Sequence, residues 1–202
     1  MPARASTALE ILNNEARACR VCAEALPHEP RPVFQAGPNA RLLIVGQAPG
    51  SKVHAGGIPW DDPSGNRLRD WLQLDRDQFY DPNFVALLPM GFCYPGKGRS
   101  GDLPPRAECA PLWMERFRSH LPSVELTLAI GRYAQDYLLG SGVRPTLTET
   151  VKSYSDYLPD NILPLPHPSP RNNIWLRKNP FFEAEVIPEL RRRIHLLGRP
   201  MA

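Results

Sequence analysis

Four short apolar runs punctuate the chain. Arg41-Leu42-Leu43-Ile44-Val45-Gly46 is continuous and ends in glycine, and Phe84–Leu88, Leu126–Ile130 and Asn161–Leu165 repeat the pattern. Runs that are apolar throughout, rather than alternating, predict strands buried on both faces, as in a parallel sheet. Between them apolar residues recur at helical spacing. Ala8, Leu9, Leu12 and Ala16 predict a helix over 5–18. Leu68, Trp71 and Leu72 predict one over Arg67–Leu74, with Ser64 as its cap. Further helices are expected near 106–120, from Gly131 to Leu139, and around 181–197. Strands alternating with helices predict an α/β fold: three layers, α/β/α, around a central four-stranded parallel sheet.

Composition narrows this picture. A chain of 202 residues suits a single domain over 1–202. Its 42% hydrophobic and 22% charged residues argue against disorder. No apolar run approaches the roughly 18 residues of a membrane span. Met1-Pro2-Ala3-Arg4-Ala5-Ser6 does not lead into a signal-peptide core, so a cytoplasmic protein that touches no membrane is expected. Proline accounts for 24 of the 202 residues, more than twice the usual share of ~5%. Proline is excluded from helix interiors and sheet ladders, so the loops must be long and stiff. Pro27–Pro38 reads as an extended segment, and 46–65 as one long loop. Ligands in open α/β sheets bind beyond the carboxyl ends of the strands. That directs attention to the loops 46–65, 89–105 and 167–173. The net charge of +3 does not by itself announce nucleic acid.

The cysteines are few: Cys19-Arg20-Val21-Cys22 forms a CxxC pair, and Cys93 and Cys109 follow far downstream. In a reducing compartment such residues are more often metal ligands or catalytic thiols than disulfides. Four thiolates suit zinc or an iron–sulfur cluster. The second CxxC knuckle usual in a zinc ribbon is missing here. The alternative is that some of them are simply small buried hydrophobes.

At Gly46-Gln47-Ala48-Pro49-Gly50 the chain resembles the uracil-DNA glycosylase superfamily, most closely its iron–sulfur branch, family 4. That branch carries a CxxC near the N-terminus, a GEAPG-like motif after a strand, a GxPF segment, two more cysteines and a His-Pro motif after the last strand. The same order stands here as Cys19/Cys22, Gly46–Gly50, Gly57-Ile58-Pro59-Trp60, Cys93/Cys109 and His167-Pro168-Ser169-Pro170-Arg171-Asn172. Each motif alone is weak, but five in this order over residues 17–190 are specific. The resemblance implies one glycosylase-like domain that acts as a monomer on uracil-containing DNA. It flips the base, hydrolyses the N-glycosidic bond and leaves an abasic site. It also implies a [4Fe–4S] cluster on Cys19, Cys22, Cys93 and Cys109, with zinc as the alternative.

The resemblance further assigns roles. His167 matches the histidine that hydrogen-bonds uracil O2 as the base leaves. Trp60 takes the place of the stacking Phe and offers a larger ring face, the alternative being a core Trp under the loop. The backbone of Gly46, Gln47 and Ala48 supplies donors, with glycine allowing close approach. Arg171 sits where related enzymes insert a side chain into the space left by the base; Arg is equally able to hold a phosphate or simply face solvent. Ser169, Ser51 and Lys52 are candidate phosphate contacts.

Two departures stand out. The motif has Gln47 and Ala48 where relatives place a water-orienting Asp or Asn or a motif Glu. An amide binds water but accepts no proton. The nearest carboxylates, Asp61 and Asp62, follow Trp60 and are candidate bases, Asp61 ahead; Asp62-Pro63-Ser64 also reads as a helix cap. His54 is a weaker candidate. Secondly, Leu88-Pro89-Met90-Gly91-Phe92-Cys93 offers no Asn to read the pyrimidine edge, so a wider range of deaminated or modified bases is expected. Without the motif acid, a non-catalytic binder of damaged DNA carrying an iron–sulfur cluster is the alternative. Arg191-Arg192-Arg193-Ile194-His195 resembles a loop that captures abasic DNA covalently in a related branch, but here it reads as a solvated helix face.

Overall fold

The computed structural model describes residues 7–99 and 101–198. The expected first two residues of the N-terminal helix and the Met1–Ser6 segment lie outside that range. In chain order the elements are α1 (Ala8–Arg17), β1 (Leu42–Val45), α2 (Ser51–Gly56), α3 (Pro63–Leu72), α4 (Arg76–Tyr80), β2 (Val85–Leu87), α5 (Cys109–Arg118), β3 (Leu126–Ile130), α6 (Arg132–Leu139), α7 (Leu147–Lys152), β4 (Ile162–Leu165), α8 (Asn173–Lys178) and α9 (Ile187–Leu196). One π-helical stretch, Phe182–Val186, leads into α9.

All four strands are parallel and run in the order β2-β1-β3-β4. Leu42 pairs with both Val85 and Leu126, and Thr127 pairs with Ile162. Successive side chains of a strand face opposite ways, and both faces are apolar here. Leu42, Ile44, Leu128 and Leu163 pack with Leu68, Trp71 and Leu72 of α3 and Leu190 and Ile194 of α9. Leu43, Val45, Ala86 and Ala129 pack with Leu9 and Leu12 of α1 and Trp113, Met114 and Phe117 of α5. These two cores make the three layers. Each buried Leu or Phe contributes roughly 1.5–3 kcal/mol.

The segment 46–65 departs from the expected single loop, because α2 forms within it and α3 begins at Pro63. Only Val53 of α2 is buried, which leaves no apolar stripe to read from the sequence. Asp62 rather than Ser64 caps α3: its Oδ1 accepts the Gly65 N–H at 2.8 Å, and Pro63 occupies the first turn, where its missing N–H costs nothing. Short α4, α7 and α8 are also additional to the expected elements. Among the described residues no helix is long and apolar enough to cross a membrane.

The chain leaves β1 for β2 on one side, then returns to place β3 on the other. The carboxyl ends of β1 and β3 therefore flank the point where the connections diverge, the usual place for a ligand crevice.

α9, which packs on α3, is an Arg-rich helix braced from within. Glu189 accepts hydrogen bonds from Arg192 at 2.7 Å and Arg193 at 2.8 Å. Those bonds, the Arg192 bond above all, hold its carboxyl down at about 2. A carboxyl depressed on folding stabilises fully above its unfolded value near ~4.3, and that stability is lost as pH falls through the folded value. The pair is solvated at one end, so its contribution is about 1 kcal/mol. Glu189→Gln is therefore expected to lower unfolding stability by about that amount at neutral pH. In urea titrations the difference from wild type should shrink as the pH is lowered from about 5 toward about 2.

Candidate functional site

Loops from the carboxyl ends of β1, β2 and β4 close around a cavity of about 510 Å³. The first runs through Gly46-Gln47-Ala48-Pro49-Gly50 into α2. It is tied to the segment after β2, where Met90 and Gly91 donate their N–H groups to the Gly46 and Gln47 carbonyls at 2.8 and 3.0 Å. These bonds fix the motif backbone against its neighbour strand.

Trp60 is held beside this backbone. A Cβ on Gly46 would lie 2.8 Å from Trp60 Cζ2, so only glycine lets the indole come so close. The Trp60 ring also stacks on His167, with centroids 5.6 Å apart and planes 30° off parallel. Its backbone is left-handed, at φ 58°, which costs a non-glycine residue roughly 1–2 kcal/mol. The surroundings hold it there. A Cβ at Gly65 would come 1.7 Å from the Trp60 carbonyl oxygen, so the first turn of α3 presses directly on it. Buried Arg69 bridges Trp60 and Tyr80: its Nη1 donates to the Trp60 carbonyl at 3.5 Å and to the Tyr80 hydroxyl at 3.3 Å. The Tyr80 hydroxyl donates in turn to the Pro59 carbonyl at 3.0 Å. Strain kept this firmly in place is typical of functional loops.

His167 follows β4 in a stiff, proline-framed segment. Asn172 Nδ2 donates to the His167 carbonyl at 2.7 Å, the Ser169 hydroxyl accepts the Arg171 N–H at 3.2 Å, and Arg67 donates to the Ser169 carbonyl at 3.1 Å. The Ser169 N–H donates to His167 Nδ1 at 3.2 Å. With Nδ1 accepting, the neutral ring carries its proton on Nε2. Burial pushes the His167 pKa down, while the negative charges of Asp62 and Asp102 oppose the shift. The imidazole is thus held as a neutral Nε2–H donor.

The cavity brings together Gly46, Gln47, Ala48, Trp60, Asp62, His167, Ser169 and Arg171, and Ser51 and Lys52 line it too. Asp61 does not line it. Arg76 at the start of α4 takes the Asp61 carboxylate at 2.8 Å, and that bond holds its pKa below the usual range. Asp62 lines the cavity but has one oxygen committed to the α3 cap. His54 packs on His28 at 4.0 Å and near Tyr94 at 5.8 Å, outside the lining. Arg191 donates to the Trp71 and Asp70 carbonyls, Arg192 and Arg193 pair with Glu189, and His195 is exposed on α9.

Asp102 is the cavity carboxylate that the sequence motifs did not reveal. A tight hairpin carries it, closed by Gly98 N–H to Gly101 carbonyl at 2.6 Å and Leu103 N–H to Gly96 carbonyl at 2.9 Å. It stands in the loop 89–105, whose position after a strand was the available signal. No Asn is among the described lining residues, and Pro89 occupies the β2 side.

The four cysteines also converge, on a separate hollow walled by Phe92, Leu112 and Trp113. All four are free and half-buried. The Phe92 N–H donates to Cys109 Sγ at 3.2 Å. Burial, the largest cause, pushes the Cys93 thiol up to about 11 and the Cys109 thiol to about 12. Buried thiols of this kind become thiolates only when a metal replaces the proton. Among the described residues no group of three or more His, Cys, Asp or Glu side chains is already drawn together around a metal position. Four thiols line one apolar hollow, with a backbone donor to one sulfur, a donor set of the chemistry that zinc or an iron–sulfur cluster takes.

A type-4 uracil-DNA glycosylase of Sulfurisphaera tokodaii is 26% identical over 140 residues, covering 64% of this chain and 57% of that protein. The chain thus spans a little over half the length of that relative. The sequence model described as the uracil DNA glycosylase superfamily matches residues 34–191, which include the β1 loop, the β2 loop and the His167 segment. The chain belongs to the uracil DNA glycosylase superfamily.

Proposed function

We propose that the protein is a monofunctional DNA glycosylase that hydrolyses the N-glycosidic bond of uracil in DNA and leaves an abasic site. The observation that carries this reading is the cavity in which a neutral His167 donor, the Trp60 ring and the Gly46–Ala48 backbone meet. A glycosylase must draw a nucleotide out of the duplex into such a pocket. The bond then breaks with positive charge on the sugar and negative charge on the leaving base. Trp60 offers a π face for the flipped base. His167 gives its Nε2–H to uracil O2 and stabilises the charge that develops there; a fixed donor of this kind is worth about 3–4 kcal/mol of barrier. Gln47 is placed by its motif to bind the base edge or a water.

The DNA strand needs cationic support around the cavity. Lys52 and Arg171 line it, and Arg67, which braces Ser169, lines a neighbouring shallow hollow with Arg177. These four cations, interspersed with Asp62, Asp102 and Glu183, offer phosphate contacts despite a net charge of only +3. Arg171 at the mouth is suited to enter the space left by the base or to hold a flanking phosphate.

Cys19, Cys22, Cys93 and Cys109 would hold a [4Fe–4S] cluster. Its role is structural, pinning the segment after α1 to the start of α5. Without an Asn to pair with the pyrimidine edge, the pocket admits other deaminated bases.

Two measurements test this reading. In single-turnover assays on duplex DNA the wild type should release uracil, with hypoxanthine, xanthine and 5-hydroxymethyluracil within about tenfold of that rate, and His167→Ala should be slower by about 10²–10³. No release of any base would leave a damaged-DNA binder in its place. Protein purified without oxygen should be brown, with iron and acid-labile sulfide in equal amounts, and Cys109→Ala should lose both. A colourless protein with stoichiometric zinc would refute the cluster.

A further inference from the structure

We propose that Asp102 is the catalytic residue that holds the attacking water and takes its proton. This inference rests on the glycosylase reading of the same cavity. The motif that would ordinarily supply a water-orienting side chain carries Gln47 and Ala48 here, and neither accepts a proton. Among the described lining residues the carboxylates are Asp62 and Asp102. Asp62 Oδ1 is engaged by the Gly65 N–H at 2.8 Å, where it caps α3. Asp61 is turned to Arg76 at 2.8 Å and lies outside the lining.

The Asp102 carboxylate caps no helix among the described elements and takes its hydrogen bond from Tyr94. The paired segments 96–98 and 101–103 bring it over the motif loop, where Oδ2 stands 3.5 Å from where a Cβ on Gly50 would be. The Tyr94 hydroxyl donates to Oδ1 at 3.4 Å, which orients the carboxylate and leaves its other oxygen to the cavity. The residue is exposed, so water reaches it. Its charge is one of two that act on His167.

The electrostatics sharpen the argument. Lys52 and Arg171 share this lining and suit a polyanion. A carboxylate among them weakens DNA binding, since like charges repel across the short distances of a cavity. A negative charge is useful there if the reaction creates positive charge, as the breaking glycosidic bond does at C1′.

The water oxygen bonds to C1′ as the C1′–N1 bond breaks, and the bond's electron pair leaves with the base. His167 Nε2–H holds the charge delocalised onto O2. The proton lost by the water passes to the Asp102 carboxylate and from there to the departed base. Sugar with a 1′-hydroxyl and neutral uracil result.

The test is Asp102→Asn, measured twice. Single-turnover excision from a uracil duplex should fall by about 10²-fold or more, the usual worth of a positioned base. Binding to a duplex carrying 2′-fluoro-2′-deoxyuridine, which resists cleavage, should be unchanged or tighter, because a negative charge has gone. A thermal melt matching wild type shows that the exposed loop tolerates the change. If the wild type excises uracil and Asp102→Asn does so at the same rate, the assignment is overturned while the glycosylase reading stands. If Asp62→Asn or Asp61→Asn loses the rate and Asp102→Asn does not, the base is one of those. If the wild type excises no base, both readings fall together.

Discussion

One close approach organises the site: the Trp60 indole against the bare backbone of Gly46, with His167 stacked on its ring. It joins the loop after β1 to the segment after β4 at the carboxyl edge of the sheet. The sheet makes the contact achievable, because β1 and β4 each pack beside β3 in fixed parallel register. The Trp60 turn would be costly alone, at φ 58°, and persists because Gly65, Arg69 and Tyr80 leave it no other place. A rigid pocket follows from that over-determination. A base entering the cavity meets donors and a ring face already set, so little is lost in organising them at the moment of reaction.

Much of the architecture was legible in the sequence, and for a simple reason. Strands buried on both faces must be apolar throughout, and Leu42–Val45 and Leu126–Ile130 are. Long helices with one buried stripe, such as α1 and α5, carry the 3.6-residue repeat. The short elements gave no such sign. α8 buries none of its residues fully, and α2 buries only Val53. Their existence depends on loops closing around the cavity, and not on their own pattern.

At the site the same division holds. His167, Trp60 and the Gly46–Gly50 segment stand out by order along the chain. Asp61 could not be followed from sequence, because its position is decided by Arg76 on a helix that lacks a readable signal. Asp102 depends on a hairpin bent across the mouth of another loop, a contact between segments fifty residues apart in the chain. The cysteines form a second, independent region. Cys93 and Cys109 bracket the hairpin that carries Asp102, so whatever fixes those thiols also fixes one wall of the cavity.

The central claim is that this cavity receives a base flipped out of DNA. The most direct measurement is a crystal structure with a duplex containing 2′-fluoro-2′-deoxyuridine. The uracil is expected in the cavity against Trp60, its O2 within hydrogen-bond distance of His167 Nε2 and its C1′ facing the Asp102 carboxylate. A uracil still stacked in the duplex, or a strand lying across a different face of the sheet, would contradict it.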